Sequence, residues 1–411
     1  MNHSIKPVHA ALETLEYEDD ILLWGGRKVT EIAEELGRTP FYAYDRARMS
    51  QRVADLRTAL PDNLKLHYAM KANPMPEVVQ YMADLVDGLD VASAGELRVA
   101  LATGIDPQLV SFAGPGKRQE ELEEAINSGI TINMESENEM RRIACIGANL
   151  SIQPRVAIRV NPDFELKSSG MKMGGRPSPF GVDAERVPAM LTELQNLELD
   201  FRGFHVYSGS QNLRAEAIDE SMQKTVELIL QLASTTSLHV SMINLGGGLG
   251  IPYFPKEQPL DLEPVAESAE RATNRLRKEL GNPEIIMELG RYLVGEAGIY
   301  VCRVLDIKES RGTCYAICDG GLHHHLAASG NFGQILRKNY PVASVQRRRE
   351  KTELVTVVGP LCTPLDLLGD NVSMGSIREG SLVAILQSGA YGFTASPRDF
   401  LSHPPCLEVV L

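Results

Sequence analysis

The chain has 411 residues, more than one ordinary hydrophobic core organises, so two domains are expected. Its 43% hydrophobic content excludes a disordered chain, and 54 Asp and Glu against 41 Lys and Arg give a net charge of −13, which excludes a general attraction to nucleic acid or anionic lipid. The segment Met1–Pro7 lacks an apolar signal core, no run is long enough to span a membrane, and the six cysteines show no paired spacing, so free thiols in the cytoplasm are expected.

In chain order, residues 1–38 carry Ile21-Leu22-Leu23-Trp24-Gly25-Gly26, a strand and turn expected to join a later β domain. From 39 to 297, short apolar strands alternate with amphipathic helices. The strands are expected to end near Lys71, Val91, Phe112, Asn133, Val160, His205, Leu245 and Met287, with helical segments between them, for example over Pro76–Leu85, Glu96–Thr103, Gln119–Ser128, Asn212–Ala233 and Leu262–Leu280. Eight such units predict an α/β fold closed into an eight-fold β/α (TIM-like) barrel, whose usual size is about 250 residues. A doubly wound sheet is the competing architecture. After Gly298 the pattern turns β-rich, with strands over Ile299–Ile307, Tyr315–Asp319, Glu353–Gly359 and Leu382–Leu386, so 298–411 reads as a C-terminal all-β domain.

Polar and glycine-rich clusters fall at the ends of these strands, where barrels build active sites. Lys71 ends the apolar run Leu66-His67-Tyr68-Ala69-Met70-Lys71 and precedes Ala72-Asn73-Pro74. A lysine desolvated at a barrel mouth presents a neutral amine able to hold an aldehyde as a Schiff base. After strand seven, Leu245-Gly246-Gly247-Gly248-Leu249-Gly250 lets backbone N–H groups approach a phosphate. After strand eight, Glu288-Leu289-Gly290-Arg291 adds a carboxylate and a bidentate cation, and Gly209-Ser210-Gln211 after strand six adds a hydroxyl. Lysine, phosphate cradle and carboxylate together describe pyridoxal 5'-phosphate, with Glu288 keeping the pyridine nitrogen protonated.

These motifs, with Asp90-Val91-Ala92-Ser93-Ala94-Gly95-Glu96-Leu97, Gly359-Pro360-Leu361-Cys362 and Gly389-Ala390-Tyr391-Gly392, make the chain resemble the pyridoxal-phosphate decarboxylases of the alanine-racemase fold, the diaminopimelate, ornithine and arginine decarboxylase family. The resemblance implies roles. Lys71 holds the cofactor. Gly247, Gly248, Gly290, Arg291 and Ser210 serve its phosphate, with Tyr391 reaching in from a partner subunit. Glu288 faces the pyridine nitrogen, and Asp90, Glu96 and Arg159 surround it. Cys362, also from the partner, protonates Cα after carbon dioxide leaves. A homodimer with shared sites is implied.

Three departures bear on substrate. Tyr207 stands where the family places a histidine over the cofactor ring. Cys362 is followed by Thr363 rather than the acidic residue that takes a distal amino group, and Ala327 stands where diaminopimelate enzymes carry an arginine. The segment His323-His324-His325-Leu326-Ala327-Ala328-Ser329-Gly330-Asn331-Phe332-Gly333-Gln334 resembles a branch acting on carrier-tethered or modified amino acids, such as glutamate thioesterified to an acyl-carrier protein, including exosortase-associated relatives.

The expected function is therefore decarboxylation of an amino acid or its carrier-tethered derivative. Action on free diaminopimelate, a racemase of the same fold, and a non-catalytic binding protein are the alternatives, and Glu288 in place of a racemase arginine favours the decarboxylase. The three consecutive histidines lack metal-ligand spacing, so no metal is expected. The basic residues Arg337, Lys338, Arg347, Arg348, Arg349 and Lys351 read as a solvated hairpin or a docking patch for an acidic carrier. The loop Ser168–Pro177 reads as a lid or a long loop.

Overall fold

A computed structural model describes residues 8–164, 171–172, 175–334, 336–347 and 352–411. The chain forms two compact units, one of Met1–Ser50, Ile251–Pro259 and Leu293–Leu411 and one of Gln51–Gly250 and Leu260–Tyr292.

The second unit is the barrel. Its strands are β1 (Leu64–Ala69), β2 (Gly88–Val91), β3 (Val110–Phe112), β4 (Thr131–Met134), β5 (Arg155–Asn161), β6 (Asp200–Val206), β7 (Met242–Gly247) and β8 (Glu284–Leu289). All pair in parallel with their sequence neighbours, and β8 pairs with β1 through Ile285↔Leu64 to Leu289↔Tyr68, which closes the ring and rules out the doubly wound sheet. The eight strands end within a few residues of the expected positions.

Local chemistry starts two of the helices just past their strands. Ser93 accepts the N–H of Glu96 at 3.1 Å, and the Glu96 carboxylate reaches back to the N–H of Ala92 at 2.7 Å. Ser136 and Glu139 repeat the arrangement, with Glu139 accepting the N–H of Glu135 at 2.7 Å. Each Ser-x-x-Glu pair satisfies backbone donors that a helix N-terminus leaves open, so the strand-to-helix connection is short and fixed. Asp261 caps Leu262–Leu280, which ends at Gly281 in the left-handed region.

The first unit is built on an eight-stranded sheet whose longest strand, Gly298–Ser310, pairs antiparallel with Thr313–Cys318, Leu382–Ile385 and Phe41–Tyr44. Arg311 and Gly312 both have positive φ, the signature of a two-residue hairpin turn. Leu22, Trp24, Val29, Ile32, Phe41, Ile299, Val301 and Leu386 belong to its apolar core. Ile21–Trp24 is the strand expected near the N-terminus, and Gly25-Gly26 is its turn. Among the described residues no helix is long and apolar enough to cross a membrane.

Candidate active site

The C-terminal ends of the barrel strands bring together Lys71, Asp90, Arg159, Tyr207, Ser210, Gly247, Gly248, Glu288, Gly290 and Arg291 in the second unit. Cys362 and Tyr391 lie in the first. Lys71 sits in the single 3₁₀ turn Met70–Ala72, between the buried side chains of Met70 and Ala72, and its own side chain is 44% exposed. Its Nζ lies 3.8 Å from Glu288 Oε1 and 5.4 Å from the centroid of the Tyr207 ring. Tyr207 therefore approaches the lysine with an aromatic face.

Glu288 is buried on β8. Its Oε2 lies 3.1 Å from His205 Nε2, so the two carboxylate oxygens face different groups. Burial pushes the carboxyl upward, but the His205 contact and the charges of Lys71 and Arg159 outweigh it and hold the group far below the usual carboxylate range. The carboxylate is thus anionic at neutral pH despite its burial.

His205 was read only as a strand end. It belongs to a buried polar set that also includes His67, Asp90, Ser111, Asn133, Arg159 and Asn244. Neighbouring strands place His205 beside Arg159 and Asn244, Glu288 beside His67, and Asp90 beside Ser111. Ser111 donates to Asp90 at 2.5 Å, His67 Nδ1 lies 3.3 Å from the same oxygen, and Asn133 donates to Ser111 at 3.1 Å. The available signal was a polar residue recurring inside otherwise apolar strands.

Arg159 donates to Glu135 at 2.8 Å, and Glu135 also accepts the backbone N–H of Gly114 at 2.6 Å and of Gly181 at 2.9 Å. Lys117, 1% exposed at its side chain, donates to Glu139 at 2.8 Å and to the carbonyls of Gly114 and Asn133. Both buried cations are therefore paired, as buried charge requires. Neither carboxylate was anticipated from the sequence.

The glycine loop is a cradle made of backbone. A Cβ on Gly247 would run into the carbonyl of Glu288, and one on Gly248, whose φ is +86°, would run into that of Gly209. A Cβ on Gly290 would lie 2.9 Å from the Ala69 carbonyl. No side chain fits at these three positions, so a ligand can approach the loop backbone closely, an arrangement suited to a phosphate. The backbone of Met171–Lys172 pairs with Gly209–Ser210 beside it. Residues 168–170, 173 and 174 of the expected lid lie outside the described residues. An aldehyde-binding amine, an anionic carboxylate and a phosphate cradle at one barrel mouth fit pyridoxal phosphate.

In the first unit Cys362 is exposed and Tyr391 has a φ of +53°, with its ring stacked 6.4 Å from Phe332. His323, His324 and His325 are buried; burial lowers all three, to about 3, 4 and 3, so they are neutral. His324 bonds the Pro404 carbonyl and His325 the Ser388 hydroxyl. Among the described residues no group of three or more His, Cys, Asp or Glu is placed to hold a metal.

Arg337 does not belong to a solvated basic patch. Its guanidinium donates to the Ser329 carbonyl at 3.1 Å, Asn339 Oδ1 at 2.8 Å and the Leu367 carbonyl at 2.9 Å. Arg347 lies 3.6 Å over the Tyr17 ring and Lys338 5.1 Å over Phe254. Arg348, Arg349 and Lys351 lie outside the described residues.

Residues 46–295 match the model of the pyridoxal-dependent decarboxylase family, pyridoxal binding domain. The chain is 39% identical over 379 residues to an L-glutamyl-(BtrI acyl-carrier protein) decarboxylase of Niallia circulans, covering 90% of this chain and 88% of that one. It is 33% identical over 402 residues to a diaminopimelate decarboxylase of Aquifex aeolicus, covering 97% and 92%. The crystal structure of diaminopimelate decarboxylase from M. jannaschii in complex with L-lysine superposes with a TM-score of 0.89 at 25% identity, covering 98% of this chain and 93% of that one.

Proposed function

The chain belongs to the pyridoxal-dependent decarboxylases and acts as a PLP-dependent amino-acid decarboxylase, and we propose that its substrate is an amino acid whose far end is neutral and extended, as in a carrier-bound thioester. Bound pyridoxal phosphate supplies the electron sink for the pair left at Cα when the carboxylate departs as carbon dioxide. Lys71 holds the cofactor covalently and Glu288 holds a proton on its ring nitrogen. Gly247, Gly248, Gly290, Arg291 and Ser210 would hold the phosphate, and Tyr207, whose ring faces Lys71, would help hold the cofactor ring. Asp90 and Arg159 act through neighbours, Asp90 on His67 and Ser111, Arg159 by its charge beside Glu288.

The reading rests above all on Lys71 and Glu288 meeting at 3.8 Å beside a cradle that admits no Cβ. We also propose a homodimer in which Cys362 and Tyr391 serve the barrel of the second subunit. Mixing inactive Lys71→Ala with inactive Cys362→Ala is expected to restore part of the turnover, because some mixed dimers hold one intact site. Subunit exchange verified by mass, with no recovered activity, would place each site within one chain.

The substrate proposal starts from Ala327 and Thr363. Asp366, the nearest carboxylate after Cys362, already accepts the backbone N–H groups of Leu322 and Leu361. A site built for a distal charge rejects analogues that lack it, because its own polar groups are left unpaired. No such demand is visible here. Carbon dioxide release is expected from a glutamyl-carrier thioester and to be poor from free diaminopimelate, lysine, ornithine, arginine and glutamate. Docking of an acidic carrier on the basic cluster around residues 347–349 should weaken as salt rises. Fast turnover of a free diamino acid with none of the thioester would overturn the tethered substrate and leave the decarboxylase standing.

A further inference from the structure

The turn that carries Cys362 is fastened by one buried carboxylate. Asp366 is 3% exposed. Its Oδ2 accepts the N–H of Leu361, next to the cysteine, at 2.8 Å, and its Oδ1 accepts the N–H of Leu322 at 2.6 Å. The backbone closes the same turn: Gly359 donates to the Asp366 carbonyl at 3.1 Å, Asp366 to Thr363 at 3.2 Å, and Thr363 to Leu361 at 2.8 Å. From Leu322 the chain runs directly to Ala327, and His324 and His325 both donate to the Gly321 carbonyl at 3.0 Å. Two glycines mark the space the carboxylate fills. A Cβ on Gly321 or on Gly359 would collide with an Asp366 oxygen, and neither glycine has a φ that demands glycine. Burial raises the Asp366 carboxyl and the two backbone bonds oppose it.

We propose that Asp366 is a positioning residue for the Cys362 thiol: its carboxylate ties the cysteine turn to the Gly321–Ala327 segment, so that the thiol and the residues facing the substrate's far end keep one fixed spacing. This rests on Cys362 delivering the proton to Cα. When carbon dioxide leaves, the electron pair at Cα takes the thiol proton and the product is the amine. With the thiol displaced, that proton would not reach Cα, and hydrolysis by water would then release the substrate skeleton as an aldehyde, its amino group staying behind with the cofactor. No oxidant is needed.

In Asp366→Asn one acceptor becomes an N–H donor facing a backbone N–H. The loaded full-length variant, with sites counted by visible absorbance, is expected to lose kcat by on the order of 10²-fold, as small misplacements do. KM should change little, and the aldehyde-to-amine ratio should rise. Alkylation of Cys362 by iodoacetamide, followed by peptide mass, should change in rate. Gly321→Ala pushes on the same carboxylate and should move both readouts the same way, which keeps the test open if Asp366→Asn folds poorly. Loss of folded protein alone moves neither the ratio nor the alkylation rate per site. Wild-type ratios and alkylation rates in both variants, while Cys362→Ala forms aldehyde, would overturn the role of Asp366. Absence of aldehyde from Cys362→Ala would instead remove Cys362 as the proton donor, and the role of Asp366 with it.

Discussion

Lys71→Ala is expected to yield a folded protein that has lost both the visible absorbance of bound cofactor and its turnover. The residue stands at the end of β1 on a tight turn whose other side chains, Met70 and Ala72, are buried, so the turn is held by its neighbours and the amine is left to chemistry. The partly exposed side chain contributes little packing, so the fold should survive its loss, with some stability lost because the buried Glu288 carboxylate keeps His205 but loses the lysine's charge 3.8 Å away. The cofactor, by contrast, would lose the covalent anchor proposed for it. Absorbance of the purified variant beside wild type, with circular dichroism to verify the fold, makes the comparison. Retained absorbance and turnover would remove Lys71 from the mechanism.

Glu288→Gln should lower turnover by about 10²-fold or more, roughly 3 kcal/mol of barrier, while the cofactor still binds. The amide keeps the size of the side chain and its contact with His205 but carries no charge. Wild type holds the carboxylate anionic through His205, Lys71 and Arg159, against the desolvation that opposes it. Because the folded pKa lies below the unfolded value, this charge stabilises the fold above the ordinary carboxylate pKa, and that contribution is lost as pH falls through and below it. Glu288→Gln should therefore lose less stability than wild type as pH falls below about 4.5, the ordinary carboxylate value, measured as thermal midpoint against pH. Unchanged turnover would mean that the carboxylate faces something other than the ring nitrogen.

The barrel was legible because each strand is a short apolar run that stops at a polar or glycine-rich cluster, and closure followed from counting them. The helices Glu137–Leu150 and Val187–Leu194 fall between barrel strands as the alternation expects, though no spans were assigned to them, while the short strands Val342–Ser344 and Leu407–Val410 were not foreseen. Three- and four-residue strands carry too little periodicity to stand out, and their pairing partners lie far away in sequence, as for Leu407–Val410 beside Phe41–Tyr44. Lys71, Glu288 and the glycine loop could be picked from residue type and position. The pairings His205 with Glu288 and Arg159 with Glu135 could not, because each joins residues on different strands or loops and depends on which side chains the closed ring turns inward. Arg337 misled for the opposite reason: its charge matched a basic run, while its donors are spent on the carbonyls and amide of its own loop neighbourhood.

Gly247 and Glu288 are register partners across β7 and β8, and the glycine has no room for a side chain because the backbone of Glu288 occupies that space. If Gly247 takes the phosphate and Glu288 the ring nitrogen, as proposed, the two roles hang from one point of contact between two strands. A lineage cannot retune one without disturbing the other, since any residue larger than glycine moves the carbonyl next to the carboxylate. A substitution at either position is therefore expected to be felt at the other.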